Sequence, residues 1–227
     1  MKRPPAEQQA MLADHRRAFV VASCLLAAAG ALYLAVWWTP ARSVLQWGDD
    51  RFLRAMERLR YRPAVSVAEA LDWVGGVWAT WTLRAVAVGL LAWRRHWLHL
   101  VAFVLAVLTS EALIGTSKDL FDRARPLGSV VGTSGASFPS GHAIAAAVTA
   151  VGLVIALLPA GPSRWRWEWR AALYASLMAL SRTYLGAHWL SDVVAGALLG
   201  SGIAIGWPAV LVLARDRRAR RPAPAPT

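Results

Sequence analysis

Polar surface is what this sequence lacks. Only 17% of its 227 residues are charged, 57% are hydrophobic, and the mean hydropathy is +0.41. A soluble domain of this length needs a larger polar exterior, so the composition excludes one and points to a polytopic membrane protein. Cysteine is nearly absent. Cys24 stands alone, which excludes an intrachain disulfide, and its place inside the first apolar run suits a small buried or lipid-facing residue. Acidic residues are few, 13 against 25 Lys and Arg, giving a formal charge of +12. That excess does not signal a nucleic-acid partner, because the basic residues sit at the ends of apolar runs, where topology signals lie. No internal repeat and no second domain are evident.

The N-terminus also has little of the pattern of a signal peptide. Lys2, Arg3, Arg16 and Arg17 precede an apolar run from Ala18 to Trp38, which is too long for a typical signal-peptide core and has no convincing small-x-small exit before Pro40. As a helix this run extends about 31 Å, against about 30 Å of bilayer hydrocarbon. It is expected as a retained first span. Six spans are expected in all, at 18–38, 77–93, 97–117, 139–159, 171–187 and 189–213. Between the first two, Leu45, Phe52, Met56 and Leu59 recur at helical spacing opposite Arg51, Arg54, Glu57 and Arg58. This pattern predicts an amphipathic helix over 44–60 lying in the interface, as an anchor, a lid or a docking surface for acidic headgroups.

Charge bias sets the expected orientation. With a cytoplasmic N-terminus, the inner segments carry Lys2, Arg3, Arg16, Arg17, Arg94, Arg95, Arg164, Arg166, Arg170 and the arginines from Arg215 to Arg221. The outer segments carry fewer. Tryptophans such as Trp37, Trp38, Trp93, Trp97, Trp165, Trp167 and Trp169 fall at predicted span ends, as an aromatic belt does.

This layout brings three short clusters to the same outer face. The first is Lys118 with Arg125 and Pro126, and the second is Pro139-Ser140-Gly141-His142. The third joins Ser181 and Arg182 to His188 and Asp192. Nothing in their spacing forces that agreement. Transferring phosphoryl groups spread negative charge over their equatorial oxygens, which fixed cations and amides stabilise best where water is scarce. Lys118, Arg125 and Arg182 supply cations, and the amides of Ser140 and Gly141 open an expected helix that could face a phosphate oxygen. His188 and Asp192 are i and i+4, one helix face, so the carboxylate can fix the imidazole tautomer and free the other nitrogen for attack. His142 then suits protonation of the leaving oxygen and later activation of water.

Each cluster alone has an ordinary explanation. Lys118, Arg123 and Arg125 can form an interfacial charge cluster, His188 can anchor a span edge, and His188–Asp192 can be a satisfied helix pair. These explanations give no reason for the clusters to meet. A zinc site at His142, His188 and Asp192 is disfavoured by the adjacent cations, so no metal and no cofactor are expected.

Together the clusters resemble the tripartite signature of the type 2 phosphatidic acid phosphatase superfamily, which includes vanadium haloperoxidases and glucose-6-phosphatase-like enzymes. The signature residues between Lys118 and Asp192 match at the expected spacing, over about a third of the chain. The resemblance implies an all-α membrane bundle, metal-independent catalysis and a phosphohistidine intermediate. By position it implies His188 as nucleophile, His142 as acid and base, Asp192 as the orienting partner, and Lys118, Arg125, Ser140, Gly141 and Arg182 at the phosphate. The expected partition is a cytoplasmic segment 1–17, a six-span phosphatase domain 18–214 and a disordered cytoplasmic tail 215–227. The expected place is the inner membrane, with both termini cytoplasmic and the site extracytoplasmic. The expected substrate is a lipid phosphate or isoprenoid diphosphate. A lipid phosphotransferase, a vanadate haloperoxidase and a non-catalytic lipid-phosphate binder are the alternatives. Headgroup and oligomeric state are not legible. Outside the signature, Arg84 and Glu111 fall within expected spans and are predicted to pair, with Glu111 one further turn-pair from Lys118 on the same helix face.

Overall fold

Helix ends in this chain are set by its caps and prolines. A computed structural model describes residues 11–219. The carboxylate of extended Asp14 accepts hydrogen bonds from the Arg16 and Arg17 amides, each at 3.0 Å, and so starts α1 (His15–Trp37). Pro40 and Pro63 sit in the first turns of α2 (Thr39–Arg58) and α3 (Arg62–Val74), where a missing N–H is harmless. α4 (Val77–Trp93) follows α3 across Gly75–Gly76 with a bend of 48°. α5 (Trp97–Phe121) ends where Asp122 turns left-handed at φ 37°. α6 (Gly141–Leu157) is capped by Ser140, and α7 (Trp165–Tyr184) and α8 (Leu190–Ala219) complete the bundle.

α6 is the central helix, flanked by α4, α5, α7 and α8. Its Ile144 and Val148 are fully buried and pack with Ala29, Ala106, Leu199 and Ile203. The seam between α6 and α8 depends on the absence of side chains. A Cβ on Gly196 would lie 2.8 Å from the Ser140 carbonyl oxygen, and one on Gly200 would lie 2.6 Å from that of Ile144. Both clashes are with backbone, so only glycine permits this approach. The seam places the start of α8, with Asp192, against the start of α6. α1 docks on the other side of α8, where Gly202 lies against Leu26. Its opposite face leaves Phe19, Val20 and Leu34 uncovered, as a lipid-facing flank does.

Six of these helices lie where the six spans are expected. Length and composition alone qualify α1, α5 and α8, with α3 and α4 together as a bent fourth. α6 is apolar but has 17 residues, about 26 Å, which is short for the bilayer core. α7 opens with Arg166, Glu168 and Arg170. Six full spans therefore do not follow from helix length. Three expectations change. The interfacial helix predicted over 44–60 is α2, but a second helix, α3, follows it because Pro63 restarts the helix after extended Tyr61. The N-terminal segment 1–17 gives way to α1 at His15. The tail expected from Arg215 is helical through Ala219: Ala and Arg are strong helix formers, and Arg217 and Arg218 complement the dipole at the helix end. Residues 1–10 and 220–227, including Lys2, Arg3, Arg220 and Arg221, lie outside the described residues.

Two sets of ion pairs tie the helices together, the first a fully buried triad. Arg123, just beyond α5, donates from Nη1 to Asp192 at 2.6 Å and to Ser191 Oγ at 2.7 Å. Its Nη2 donates to Asp49 at 2.7 Å and to Gln46 at 2.8 Å on α2. Asp49 also accepts from the Ser191 amide at 2.8 Å and its hydroxyl at 2.6 Å. The Arg123, Asp49 and Asp192 side chains are 2%, 3% and 0% exposed, so each charge depends on the others for solvation. α2 is thereby pinned to the start of α8. The second pair is the expected one: Arg84 donates to Glu111 at 2.6 Å and to Thr149 Oγ1 at 2.9 Å, joining α4, α5 and α6.

Arg123→Ala strands two buried carboxylates and is expected to cost about 3–5 kcal/mol, read as a lowered Tm in detergent; a surface-like cost below about 1 kcal/mol would contradict the clamp. For the second pair, Arg84→Leu and Glu111→Leu are each expected to destabilise, and the double variant to recover part of the loss. Additive losses in that double-mutant cycle would mean the pair is uncoupled.

Candidate active site

The clusters converge at one end of the bundle because three chain segments turn there. These are the loop after α5, the start of α6 and the turn between α7 and α8. A cavity of about 350 Å³ opens among them, and Lys118, Arg125, Gly141, His142 and His188 all line it. Thr80, Trp81, Arg84 and Glu111 line its other part, so the intramembrane ion pair borders the same cavity.

His188 sits in the turn before α8, 3% exposed. Its Nδ1 faces Asp192 Oδ2 at 3.5 Å, and its Nε2 lies 3.1 Å from Arg125 Nη1. Asp192 is wholly buried and held from several sides. Arg123 donates to Oδ1, while Ser137 Oγ at 2.5 Å and the Trp189 amide at 3.0 Å donate to Oδ2. The Asp192 carboxylate is thus fixed before it meets the imidazole. Burial holds the His188 pKa below the ordinary imidazole value, and Asp192 opposes that shift without cancelling it. His188 is therefore neutral near pH 7, with a lone pair available on one nitrogen.

Arg125 makes a dense set of bonds to carbonyls. It donates to Gly135 at 2.9 Å, Ala187 at 2.8 Å, Ser134 at 2.9 Å and Ala136 at 3.2 Å. These bonds lace the loop after α5 to the turn carrying His188 and hold the guanidinium against the cavity. Lys118, on the last turn of α5, is half-buried beside it.

His142 is the second residue of α6, and its ring is 28% exposed toward the site. Its Nε2 lies 3.1 Å from Asp72 Oδ1 on α3. The same Asp72 oxygen forms an ion pair with Arg182 Nη1. Arg182, on the last turn of α7, is buried and borders the site behind Asp72. Close packing permits this meeting: a Cβ on Gly75, at the end of α3, would come within 3.2 Å of the His142 ring and 2.5 Å of the Met178 methyl.

One expectation needs correction. The Ser140 amide does not face the cavity; it donates to the Asp192 carbonyl at 3.1 Å, and Ser140 Oγ caps α6 through the Ala143 amide at 3.5 Å. The site's proximity to the α6–α8 seam commits that N–H to holding the two helices together. Gly141, next along, does line the cavity.

Asp72, Arg123, Asp49 and Ser137 escape the motif reading. Arg123 carried a signal, since an arginine two residues from Arg125 just after a span rarely lacks a carboxylate partner. Asp72 carried none, because α3 lies outside every cluster. Among the described residues, no group of three or more His, Cys, Asp or Glu side chains is arranged to hold a metal ion.

Known proteins bear on this geometry. The chain is 36% identical to an undecaprenyl-diphosphatase of Sulfolobus acidocaldarius over 110 residues, 45% of this chain and 48% of that protein. The chain therefore spans about half the length of that relative. It is 35% identical over 158 residues to a decaprenylphosphoryl-5-phosphoribose phosphatase of Mycolicibacterium smegmatis, covering 66% of this chain and 81% of the other. The fold matches the crystal structure of a transmembrane PAP2-type phosphatidylglycerolphosphate phosphatase from Bacillus subtilis, with TM-score 0.67 and 24% identity over 88% of this chain and 98% of the other. The family model described as PAP2 superfamily matches residues 99–217, more than half the chain and all three clusters. With Lys118, Arg125, Gly141, His142 and His188 lining one cavity of a helical membrane bundle, the chain belongs to the PAP2 superfamily.

Proposed function

We propose that this membrane protein is a phosphatase that hydrolyses a lipid phosphate or isoprenoid diphosphate through a phosphohistidine intermediate. One observation carries the reading: two histidines share a cavity with two cations, and one of them is backed by a buried carboxylate. A binder of lipid phosphate needs the cations alone. The names of the Sulfolobus and Mycolicibacterium relatives support lipid-linked substrates.

In the proposed scheme His188 Nε2 attacks phosphorus in line with the leaving oxygen. The P–O bond to the lipid breaks, and His142 gives its proton to that oxygen, releasing the alcohol, or the monophosphate if the substrate is a diphosphate. Asp192 stabilises the positive charge that develops on His188. Water, deprotonated by His142, then attacks the phosphohistidine; the P–N bond breaks and inorganic phosphate leaves. Lys118, Arg125 and Arg182 supply the positive charge that the equatorial oxygens require, so no step is routed through a metal ion. We place the cavity at the extracytoplasmic boundary, a reading supported by the basic residues Arg16, Arg17, Arg164, Arg217 and Arg218 at the other end of the bundle.

Purified protein is expected to release inorganic phosphate from at least one member of a panel of phosphatidylglycerophosphate, phosphatidate and polyprenyl mono- and diphosphates. His188→Ala should lower kcat by at least about 10³-fold and abolish acid-labile labelling by phosphate-labelled substrate. His142→Ala should lower turnover by about 10²–10⁴-fold. Full turnover by His188→Ala refutes the mechanism, and release that requires an added acceptor alcohol identifies a phosphotransferase instead.

The lowered pKa of His188 has a definite sign. The attacking nitrogen must be unprotonated, so activity is lost as pH falls through that pKa. The acid limb of kcat/KM, corrected for ionisation of the substrate, is expected below the ordinary imidazole value of 6.5. A limb at or above that value would show that burial does not control the nucleophile.

A further inference from the structure

Asp72 is the unexpected member of the site. It comes from α3, outside the matched segment 99–217, yet one of its oxygens touches two groups to which the proposed chemistry assigns work. Oδ1 lies 3.1 Å from His142 Nε2 and is ion-paired with Arg182 Nη1. A phosphate bound in the cavity presents the same pattern: an anionic oxygen held by an arginine fork and adjacent to the acid that protonates the leaving group. Arg182 also retains unused donor capacity, since its buried Nε has no hydrogen-bond partner among the described residues. Lys118, Arg125 and His188, which line the same cavity, surround this end of the site with further groups that favour an anion.

We infer that Asp72 is a positioning residue that holds the place of the substrate phosphate, its carboxylate bridging Arg182 and His142 until a phosphate oxygen takes over both contacts. The inference rests on the function proposed above. Before substrate arrives, the carboxylate holds the Arg182 guanidinium and the His142 ring side by side, with His142 Nε2 facing it. Phosphate exchanges for it ligand by ligand, so neither the buried guanidinium nor the imidazole passes through an unpaired state. When inorganic phosphate forms, Asp72 competes for the same two partners and helps to expel it. The exchange involves no bond-making beyond hydrogen bonds.

A residue that merely ties α3 to α7 would, on removal, lower stability and leave anion affinity alone. An internal competitor gives opposite effects on two constants. Asp72→Asn and Asp72→Ala are expected to be inhibited by inorganic phosphate at about tenfold lower concentration than the wild type. Their kcat should fall by about tenfold or more, because Arg182 and His142 are less well positioned and product leaves more slowly. Asp72→Glu, which keeps the charge, should restore the weaker phosphate inhibition. A second measurement does not need turnover: a fixed concentration of phosphate should raise the Tm of Asp72→Asn more than that of the wild type. Equal phosphate inhibition and equal thermal shifts in wild type, Asp72→Asn and Asp72→Ala overturn the inference. A wild type that releases no phosphate from any lipid overturns the functional reading instead, while the thermal shifts still decide whether Asp72 competes with an anion.

Discussion

A carboxylate with no solvent contact governs this structure. Asp192 is wholly buried near the mouth of an apolar bundle, where an uncompensated charge costs several kcal/mol. Its compensation organises the molecule. Arg123 reaches it from the end of α5, Ser137 from the loop before α6, and the Trp189 amide from its own turn. Because Arg123 also needs Asp49, α2 is drawn over the start of α8. The ordered carboxylate then has one direction left, toward His188. The imidazole's orientation is thus set by three chain segments.

Charge at this end of the bundle is arranged in two tiers. Beneath the cavity, Arg123 bridges Asp49 and Asp192 in a set that solvent does not reach, and hydroxyl and amide donors from Ser137, Trp189 and Ser191 hold the remaining carboxylate oxygens. At the cavity, Lys118 and Arg125 give a positive lining, while the buried Arg182 beside it is paired with the partly exposed Asp72. The lower tier serves stability and the upper tier serves an anion. Arg123 and Arg125, two residues apart, fall in different tiers because their partners differ: Arg123 turns to Asp49 and Asp192, whereas backbone carbonyls of the loop and of Ala187 hold Arg125 at the cavity.

Much of this was legible from residues alone. Apolar runs predicted the positions of six helices, and the three clusters predicted a shared site, because both signals are local: hydrophobic periodicity over a helix and fixed spacing within a motif. The Arg84–Glu111 pair was legible too, since an ionisable group among apolar residues must find a partner. What escaped was non-local. Asp72 approaches His142 only because α3 bends at Gly75 and packs against α7. Asp49 gains its importance from α2 folding over α8, 142 residues away in sequence. The Ser140 amide looked free for an anion because a helix N-terminus read alone shows no neighbour, whereas the Asp192 carbonyl occupies it. Extension of α8 past Arg215 was missed because arginine served as a charge signal although it is also a good helix former.

The glycine seam between α6 and α8 has a bearing on how the protein responds to its bilayer. Main-chain atoms, not compressible side chains, set the separation of the helices that carry His142 and Asp192, and hydrocarbon thickness has little purchase on a contact of that kind. α3 and α4 are joined by a bend at two glycines and expose Trp73 and Trp78 along their outer side. A thicker or thinner membrane acts first on that hinged arm. Lipid composition can therefore adjust how α3 leans on the site while the register of α6 against α8 stays fixed.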